Sequence, residues 1–433
     1  MKLRLLATLA TLCVCLSAVP VNTSAQRNSS SDWPQWRGPQ RTGVSSETGL
    51  LKQWPAAGPK LLWQVNDIGD GYSTPAVAGN RIYLMSNRGM DNEFVQALST
   101  VDGKVIWTTR VGNVGNPNQE PNYPKARSTP TIDGNFVYAL GSDGDLVCLD
   151  AKTGKIRWQK SLRKDFGGEP GEWAYAESPL VDGDQVVATP GGAQATMVAV
   201  NKKTGELVWK SAIPGGDKAG YASAIPVEGG GHKQYVQLLA KGMVGVDAMT
   251  GQFLWRYADV AKGPAQYFTP IAQGDHVYGG ALGVGGGLVR LKPEGSGVTA
   301  EQVYFIRGLP NGLGGAVVIG DHIYGTEVAQ KLVAAEFKTG KVKWEAPDFG
   351  WGSVAAADGL LFCHLIMTGE VVLVEATPDA FRIKGKFTPP SPPVHKKVGQ
   401  FPEGAFTYPV IANGRLYIRD LGTLWAFDIK GGA

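Results

Sequence analysis

The side chains best suited to chemistry lie just before short apolar segments such as STPAVA and STPTID. Aromatic rings can stack on a flat ligand, and cations beside them can donate charge-assisted hydrogen bonds to an anion. Gathered around one opening, these residues would hold a planar anionic ligand. The candidates are Tyr72, Lys125, Arg127, Trp173, Tyr175, Glu177, Tyr221, Tyr267 and Trp351.

Arg127 and Glu177 are interpreted as occupying corresponding positions in two of these segments, ARSTP and AESP. They could bind a ligand, or they could pair with each other or with the backbone. We favour the structural interpretation, because ion-pair networks imitate functional sites. No catalytic residue can be assigned from spacing, and the scattered histidines predict no metal site.

The candidates belong to a repeat whose clearest phrase is LVCLDAKTGKIRW, ending at Trp158. Related phrases end at Trp107, Trp209 and Trp255, so the spacings are 51 (158 − 107), 51 (209 − 158) and 46 (255 − 209) residues. The Thr-Gly pair suits a tight turn, and the tryptophan is large enough to fill the space between neighbouring units. The phrase itself is therefore predicted to be structural.

Each repeat unit is predicted to contain four short strands. An upstream half such as STPTIDGNFVYAL indicates a strand, a tight turn and an alternating strand, and the Thr-Gly half adds two more. Four-stranded units at this period form the blades of a β-propeller. Eight fourth strands are expected, which end at Trp63, Trp107, Trp158, Trp209, Trp255, Tyr304, Trp344 and near Arg382.

The two ends of the repeat region are incomplete in complementary ways. The last copy stops at LWAFDIK after its third strand, and PKLLWQV at 59–65 is a fourth strand without a blade. Pairing them would close the ring and remove exposed sheet edges. The predicted fold is therefore all-β, an eight-bladed β-propeller of four-stranded antiparallel blades over 59–433, closed by pairing an N-terminal strand with the C-terminal blade.

Long irregular segments lie on one face of the predicted ring. They connect successive blades at 111–126, 159–176 and 385–404, whereas the short Gly turns lie on the other face. Each connection leads into an innermost strand, so the candidate residues are expected at the mouth of the axial channel. Long loops on a rigid scaffold commonly carry function, so we expect a ligand or partner at this long-loop face.

The first 25 residues are predicted to be a cleaved signal peptide, with a positively charged start, an apolar run and a cleavage site at Thr23-Ser24-Ala25. The run is too short for a permanent membrane span. Neither Cys13 nor Cys15 has the small preceding residue that lipid attachment needs. The mature chain is therefore expected in the periplasm or outside the cell.

Residues 26–58 are predicted to form a leader that docks on the propeller through Trp33, Trp36 and Arg37. Loss of the two cations of the signal peptide lowers the formal charge from +4 to +2 (4 − 2). A nearly neutral chain without a long run of one charge argues against nucleic-acid binding. We expect a monomer without a membrane span.

With its repeats and the leader DWPQWRGPQRTGVS (32–45), the chain resembles the pyrroloquinoline-quinone-like β-propeller family over 59–433. The resemblance implies two kinds of relative. Quinoprotein alcohol dehydrogenases bind the quinone with Ca²⁺ at the propeller axis, whereas BamB-type propellers are non-catalytic scaffolds of outer-membrane protein assembly. This chain lacks the adjacent cysteine pair on which the dehydrogenases typically stack the quinone, because Cys148 and Cys363 lie in different repeats. It also lacks the lipid-attachment cysteine of the BamB type.

Three functions follow from these observations. The favoured one is a non-catalytic binding or scaffold protein of the periplasm or cell envelope, with no cofactor and with an envelope protein as partner. The first alternative is a dehydrogenase that oxidises an alcohol or sugar with pyrroloquinoline quinone (PQQ) and Ca²⁺. The second alternative binds a carbohydrate or polymer at the long-loop face. A shared fold alone does not choose among them.

Overall fold

The computed structural model describes residues 31–119, 124–263, 265–398 and 401–432. These residues form eight four-stranded antiparallel sheets arranged as a ring, together with one two-stranded ribbon. The predicted all-β, eight-bladed propeller is therefore confirmed. The predicted signal peptide, 1–25, lies outside the described residues.

The strands follow the predicted repeat copies in chain order. Strand β1 is Lys60–Val65. Blades 1 to 4 contain β2 (Ala76–Ala78), β3 (Arg81–Asn87), β4 (Glu93–Ser99), β5 (Val105–Gly112); β6 (Thr131–Asp133), β7 (Phe136–Leu140), β8 (Asp145–Asp150), β9 (Ile156–Ser161); β10 (Leu180–Asp182), β11 (Gln185–Ala188), β12 (Met197–Asn201), β13 (Leu207–Ser211); β14 (Ile225–Gly229), β15 (His232–Leu239), β16 (Gly242–Asp247) and β17 (Phe253–Tyr257).

The second half of the ring repeats the same pattern. Blades 5 to 7 contain β18 (Ile271–Gln273), β19 (His276–Ala281), β20 (Gly285–Glu294), β21 (Gly297–Ile306); β22 (Ala316–Ile319), β23 (His322–Thr326), β24 (Leu332–Glu336), β25 (Val342–Ala346); β26 (Gly352–Ala357), β27 (Leu360–Leu365), β28 (Val371–Glu375) and β29 (Ile383–Phe387). A ribbon of β30 (Lys397–Val398) and β31 (Phe401–Pro402) precedes blade 8, which contains β32 (Val410–Ala412), β33 (Arg415–Asp420) and β34 (Thr423–Asp428). Helix α1 (Leu162–Phe166) follows β9, and a 3-10 turn (Asp259–Ala261) follows β17.

Strand β1 closes the ring. It pairs antiparallel with β34, from Lys60 opposite Asp428 to Val65 opposite Leu424. Blade 8 therefore has the sheet order β1-β34-β33-β32, with its outer strand supplied from the N-terminal side of the chain. This closure is the one that the incomplete ends of the repeat predicted.

A β-bulge lies in the outer strand of each blade, just before the repeat tryptophan or the residue that replaces it, Tyr304 in blade 5 and Gly385 in blade 7. A bulge increases local twist and redirects a side chain. Trp158 is directed to the next blade, where its Nε1 donates to the Lys202 carbonyl at 2.9 Å. Gly205 lies against the same indole, since a Cβ there would be 2.8 Å from Trp158 Cδ2. The Trp and Gly of the repeated phrase thus meet between blades.

Residues 31–48 form a hairpin in the axial channel, here named the axial hairpin. Its first arm lies along blades 1 and 2: Trp33 exchanges backbone hydrogen bonds of 2.9 and 2.8 Å with Val77 of β2, and the Pro34 carbonyl accepts one from Ile132 of β6. The first strands of the blades are neighbours around the ring. A segment that contacts several of them therefore lies on the propeller axis.

The second arm of the axial hairpin returns along blade 7. Ser45 N donates to the Ala356 carbonyl of β26 at 2.7 Å, and Ala356 N donates to the Gly43 carbonyl at 2.8 Å. The arms begin and end at the face of the short Gly turns, where Asp32 accepts a hydrogen bond from Gly79 N. Pro39 and Gln40 at the tip are exposed, so the tip forms the floor of the channel mouth on the long-loop face.

Candidate functional site

Hydroxyl side chains join the inner strands at the long-loop face. Thr129 N donates to Ser178 Oγ at 2.9 Å, Ser178 N to Ser223 Oγ at 2.9 Å, and Ser223 N to Thr269 Oγ1 at 3.4 Å. Each bond runs from one blade to the next. These bonds fix the spacing of the strands that surround the channel mouth.

The hydroxyl bonds also establish which residues are equivalent between blades. Because Thr129 matches Ser178, Arg127 matches Ala176, and Glu177 lies one residue nearer to the inner strand. The interpretation that Arg127 and Glu177 occupy corresponding positions is therefore wrong by one residue. Counting from the Pro of each motif gives this alignment from the sequence alone.

Arg127 lies among aromatic side chains at the mouth. Its guanidinium carbon is 5.4 Å from the centre of the Tyr72 ring, and burial lowers its pKa while Tyr72, Tyr221 and Glu93 act to raise it. The ring of Tyr221 is 5.4 Å from that of Trp173, and its hydroxyl accepts a hydrogen bond from Trp173 N. The structure therefore brings these four predicted residues together across blades 1 to 4.

Glu177 lies beneath the mouth in a buried polar network. It accepts hydrogen bonds from Thr189 N, over a short distance, and from Gln237 Nε2 at 3.0 Å. Burial raises its pKa to about 7, against the opposing influence of these bonds and of Arg41. Its carboxylate therefore joins blades 3 and 4.

Lys125 lies apart from Arg127, at the junction of blades 1 and 8. Its Nζ is 2.8 Å from Asp70 Oδ2 and 3.2 Å from Glu403 Oε1. Glu403 also accepts a hydrogen bond from the Tyr72 hydroxyl at 3.1 Å. These groups line a cleft of about 240 Å³, here named the rim cleft, whose walls include Asp67, Asp70, Lys125, Val394, Glu403 and Leu421.

A Pro-rich loop, PPSPPVHK at 389–396, covers one side of the rim cleft. His395 Nε2 is 2.9 Å from both carboxylate oxygens of Asp420. The hydrogen bond with Asp420 raises the pKa of His395, although burial acts in the opposite direction. Val394 beside it is 91% exposed. The loop is thus anchored by one side chain while it presents an apolar residue to solvent.

The remaining candidates are dispersed in supporting contacts. The Tyr175 hydroxyl donates to the Pro190 carbonyl at 2.8 Å, and the Tyr267 hydroxyl donates to the Asn311 carbonyl at 3.2 Å. Trp351 Nε1 donates to the Val328 carbonyl at 2.8 Å. The structure does not gather these three with Arg127 around one ligand-sized space.

Two buried arginines lie at the axis, of which the sequence analysis named Arg37 as a docking residue but did not single out Arg41. Arg41 donates to the carbonyls of Ser178 and Pro179 at 2.7 and 3.1 Å, and Arg37 donates to that of Ala316. The Trp36 ring packs edge-on against the Tyr408 ring, with the ring centres 4.7 Å apart. These side chains hold the tip of the axial hairpin in place. In the sequence, they are marked by the motif QWRGPQRTG at 35–43.

Within the described ranges of the chain, no three His, Cys, Asp or Glu side chains are grouped as metal ligands would be. No helix in that part of the chain has the length and apolar character required to cross a membrane.

Comparison with known proteins gives a family match. The family model described as outer membrane protein assembly factor BamB matches residues 38–190 and 91–346. The BamB of Salmonella typhimurium is 30% identical over 169 residues, which are 37% of this chain and 41% of that protein. Matches to the first three curated BamB relatives cover only 31%, 41% and 55% of their own lengths.

Solved structures share the fold at low sequence identity. BamB from Moraxella catarrhalis has a TM-score of 0.62 at 16% identity, covering 87% of this chain and 99% of that one. A quinohemoprotein alcohol dehydrogenase from Pseudomonas putida HK5 has a TM-score of 0.54 at 14% identity, covering 93% and 81%. Identities this low establish the fold alone.

The fold and the site define a closed eight-bladed propeller whose channel is filled by its own N-terminal hairpin. The family match extends from residue 38 to residue 346, which is more than half of the chain. The chain therefore belongs to the PQQ-like propeller family described as outer membrane protein assembly factor BamB, as the repeat pattern predicted.

Proposed function

We propose that this protein is a non-catalytic scaffold of the cell envelope that holds a partner protein on its long-loop face. The observation that carries the proposal is the axial hairpin, because Trp36, Arg37 and Arg41 fill the axis beneath the channel mouth. The name of the BamB relatives supports a partner from the machinery of outer membrane protein assembly.

The axial residues do not fit a quinone with Ca²⁺. The guanidinium groups of Arg37 and Arg41 are bound to backbone carbonyls of the inner strands. Both carboxylate oxygens of Glu177 accept hydrogen bonds from protein groups. Calcium takes roughly six to eight oxygen ligands, whereas the Glu177 carboxylate is already hydrogen-bonded within the protein and lies near the cationic Arg41.

The rim cleft is the proposed centre of partner binding. Asp67 and Leu421 at its edge have φ values of 57° and 45°, a left-handed conformation that bulky residues rarely adopt. Such strained positions concentrate at binding surfaces, where packing elsewhere holds them in place. With Val394 exposed beside them, the cleft combines apolar and charged groups on a rigid support.

Site-specific photo-crosslinking in living cells tests the proposed surface. A photoreactive residue at Val394 should give one discrete adduct, identified by mass spectrometry as an envelope assembly protein. The matched control is Met249, which is 80% exposed on the face of the short Gly turns and should give no such adduct. Equal adducts at both positions, or none at Val394, would contradict the proposal.

The dehydrogenase alternative has its own measurement. A ligand that binds the native state raises the melting temperature by mass action. We expect PQQ with Ca²⁺, added at micromolar concentration, to leave the melting temperature unchanged. A saturable rise, or reduction of an artificial electron acceptor with an alcohol, would overturn the scaffold assignment.

A further inference from the structure

The outer edge of blade 1 differs from those of three other blades at one repeated position. The residue in the β-bulge of the outer strand is Arg157 in blade 2, Lys343 in blade 6 and Lys384 in blade 7, where Gly385 takes the place of the repeat tryptophan. Charged residues at such places protect an open sheet edge from pairing with another chain. Blade 1 has Ile106 there, which is 44% exposed.

The same substitution occurs at the tip of the neighbouring turn. The residue two positions before the turn glycine is Lys152, Lys203 and Lys338 in blades 2, 3 and 6, whereas blade 1 has Val101. Val101 is 73% exposed. Both positions are therefore cationic in blades 2 and 6 and apolar in blade 1. Blade 4 is also apolar at both, with Met249 and Leu254, but its outer strand β17 has only five residues.

Blade 8 extends this apolar surface. Trp63 Nε1 of β1 donates to the Thr100 carbonyl of blade 1 at 3.0 Å, and Gly103 lies against the Trp63 and Val65 side chains. The outer strand of blade 8 thus meets the turn that carries Val101. The aliphatic strip, named here for its exposed members, comprises Leu61, Leu62, Val101, Val105 and Ile106, which are 37–73% exposed.

The backbone beside the aliphatic strip is open for pairing. Strand β5 is eight residues long, Val105–Gly112, and within the described chain its only strand partner is β4. Its outward N–H and C=O groups can therefore accept another strand. The related edge of blade 3 also exposes Leu207 and Val208, but β13 has only five residues, Leu207–Ser211.

We propose that the outer edge of β5 binds an extended strand of a partner protein as a fifth strand of blade 1. Backbone hydrogen bonds to β5 would supply the pairing, and alternate aliphatic side chains of the partner would cover the aliphatic strip. Lys104 and Arg110 are exposed near the two ends of β5, so acidic residues are expected at both ends of the bound strand. This edge is separate from the rim cleft, and the proposal does not depend on the proposed function.

A synthetic peptide provides the probe: nine residues with alternating Val and Thr and an Asp at each end. We expect saturable binding to the full chain by calorimetry and selective shifts of the β5 amide resonances. A copy N-methylated at alternate amides keeps the side chains but loses the backbone donors, so its binding should disappear. Equal binding of both peptides would show apolar adhesion instead of strand pairing and would overturn the proposal.

The double variant Val101→Lys, Ile106→Lys gives blade 1 the residues that other blades carry at these positions. We expect the affinity for the peptide to fall about tenfold or more, because losing the burial of a single aliphatic side chain already reduces affinity by about that factor. The matched control is Val342→Lys, the equivalent of Val105 on the lysine-protected edge of blade 6, which should bind normally. Unchanged affinity in the double variant, with an unchanged melting temperature, would contradict the proposal, as would self-association of the protein that blocks the peptide.

Discussion

Arg41 of the axial hairpin is tied to Ser178 of blade 3, whose carbonyl accepts a 2.7 Å hydrogen bond from Arg41 Nη2. The guanidinium is buried, and burial lowers its pKa to about 9. The buried guanidinium has lost its hydrogen bonds to water, and backbone carbonyls replace them. The charge is therefore stabilised only if these hydrogen bonds have good geometry. The axial hairpin is therefore expected to stabilise the ring.

Arg41→Met tests that role. The change removes the Arg41 donor from the Ser178 carbonyl, whereas the Pro179 carbonyl still accepts a hydrogen bond from Thr131 Oγ1 at 2.6 Å. One unsatisfied buried group costs about 1–3 kcal/mol, so we expect the free energy of unfolding in urea to fall by about that amount. The control Arg382→Met removes an exposed guanidinium 3.5 Å from Glu375 and should cost less than about 1 kcal/mol. Similar losses for both variants would contradict the axial role.

The stability of the protein should depend on pH through a buried carboxyl group of blade 1. Burial raises the pKa of Glu93 to about 8, although two hydrogen bonds from Ser142 oppose the shift. Below a pH of about 4.5, Glu93 is protonated in both states. As the pH rises from there to about 8, the unfolded state releases its proton first, so the free energy of unfolding decreases.

Glu93→Gln removes this titration while it keeps an acceptor for Ser142. The slope of unfolding free energy against pH between about 5 and 8 should become less negative by on the order of 1 kcal/mol per pH unit. Urea unfolding at a series of pH values measures it. A parallel pair of curves for wild type and variant would show that Glu93 titrates normally.

Gly154 tests the explanation of the repeated phrase. It has a φ of 73°, and an added Cβ would lie 2.6 Å from Trp107 Cε3 of the preceding blade. Gly134 has a φ of 57°, but a Cβ added there would have no neighbouring atom within 4 Å. Gly154→Ala should therefore cost more than Gly134→Ala, which carries only the backbone penalty of about 1–2 kcal/mol. Equal losses in thermal unfolding would mean that the Trp–Gly contact contributes little.

The ring could be predicted because its determinants recur in the sequence. Trp158 and Gly205 stand at fixed places in the repeat, and Trp63 marked β1 as the missing strand of blade 8. The site could not be predicted in the same way. Tyr175 and Tyr267 precede inner strands as Tyr72 does, yet their hydroxyls are bound to backbone carbonyls, because irregular loops have no period to show where a side chain points.

Buried arginines with distant partners show the same limit. Arg41 bonds to a carbonyl 137 residues away, and Arg419 bonds to the carbonyl of Ser73, 346 residues away. Nothing near either residue in the sequence indicates a partner at that distance. Backbone carbonyls also carry no residue-type signal, so these contacts become visible only once the ring is closed.

The rim cleft depends on the buried ion pair between Lys125 and Glu403, whose side chains are 8% and 1% exposed. Breaking a buried pair by removing one partner commonly costs about 3–5 kcal/mol, because the other charge stays buried. Lys125→Met should therefore lower the free energy of unfolding by an amount of that order. Glu403→Gln should also destabilise, because Lys125 keeps only the half-exposed Asp70.

A double variant measures the interaction energy between Lys125 and Glu403 apart from their contacts with other residues. If the two charges stabilise each other, Lys125→Met combined with Glu403→Gln should cost less than the sum of the single changes by about 1–3 kcal/mol. The matched control is the exposed pair Lys331 and Glu345, 2.9 Å apart, whose coupling should be below about 1 kcal/mol. Additive losses at Lys125 and Glu403, measured by urea unfolding, would mean that the cleft is held by Tyr72 and the surrounding loops instead.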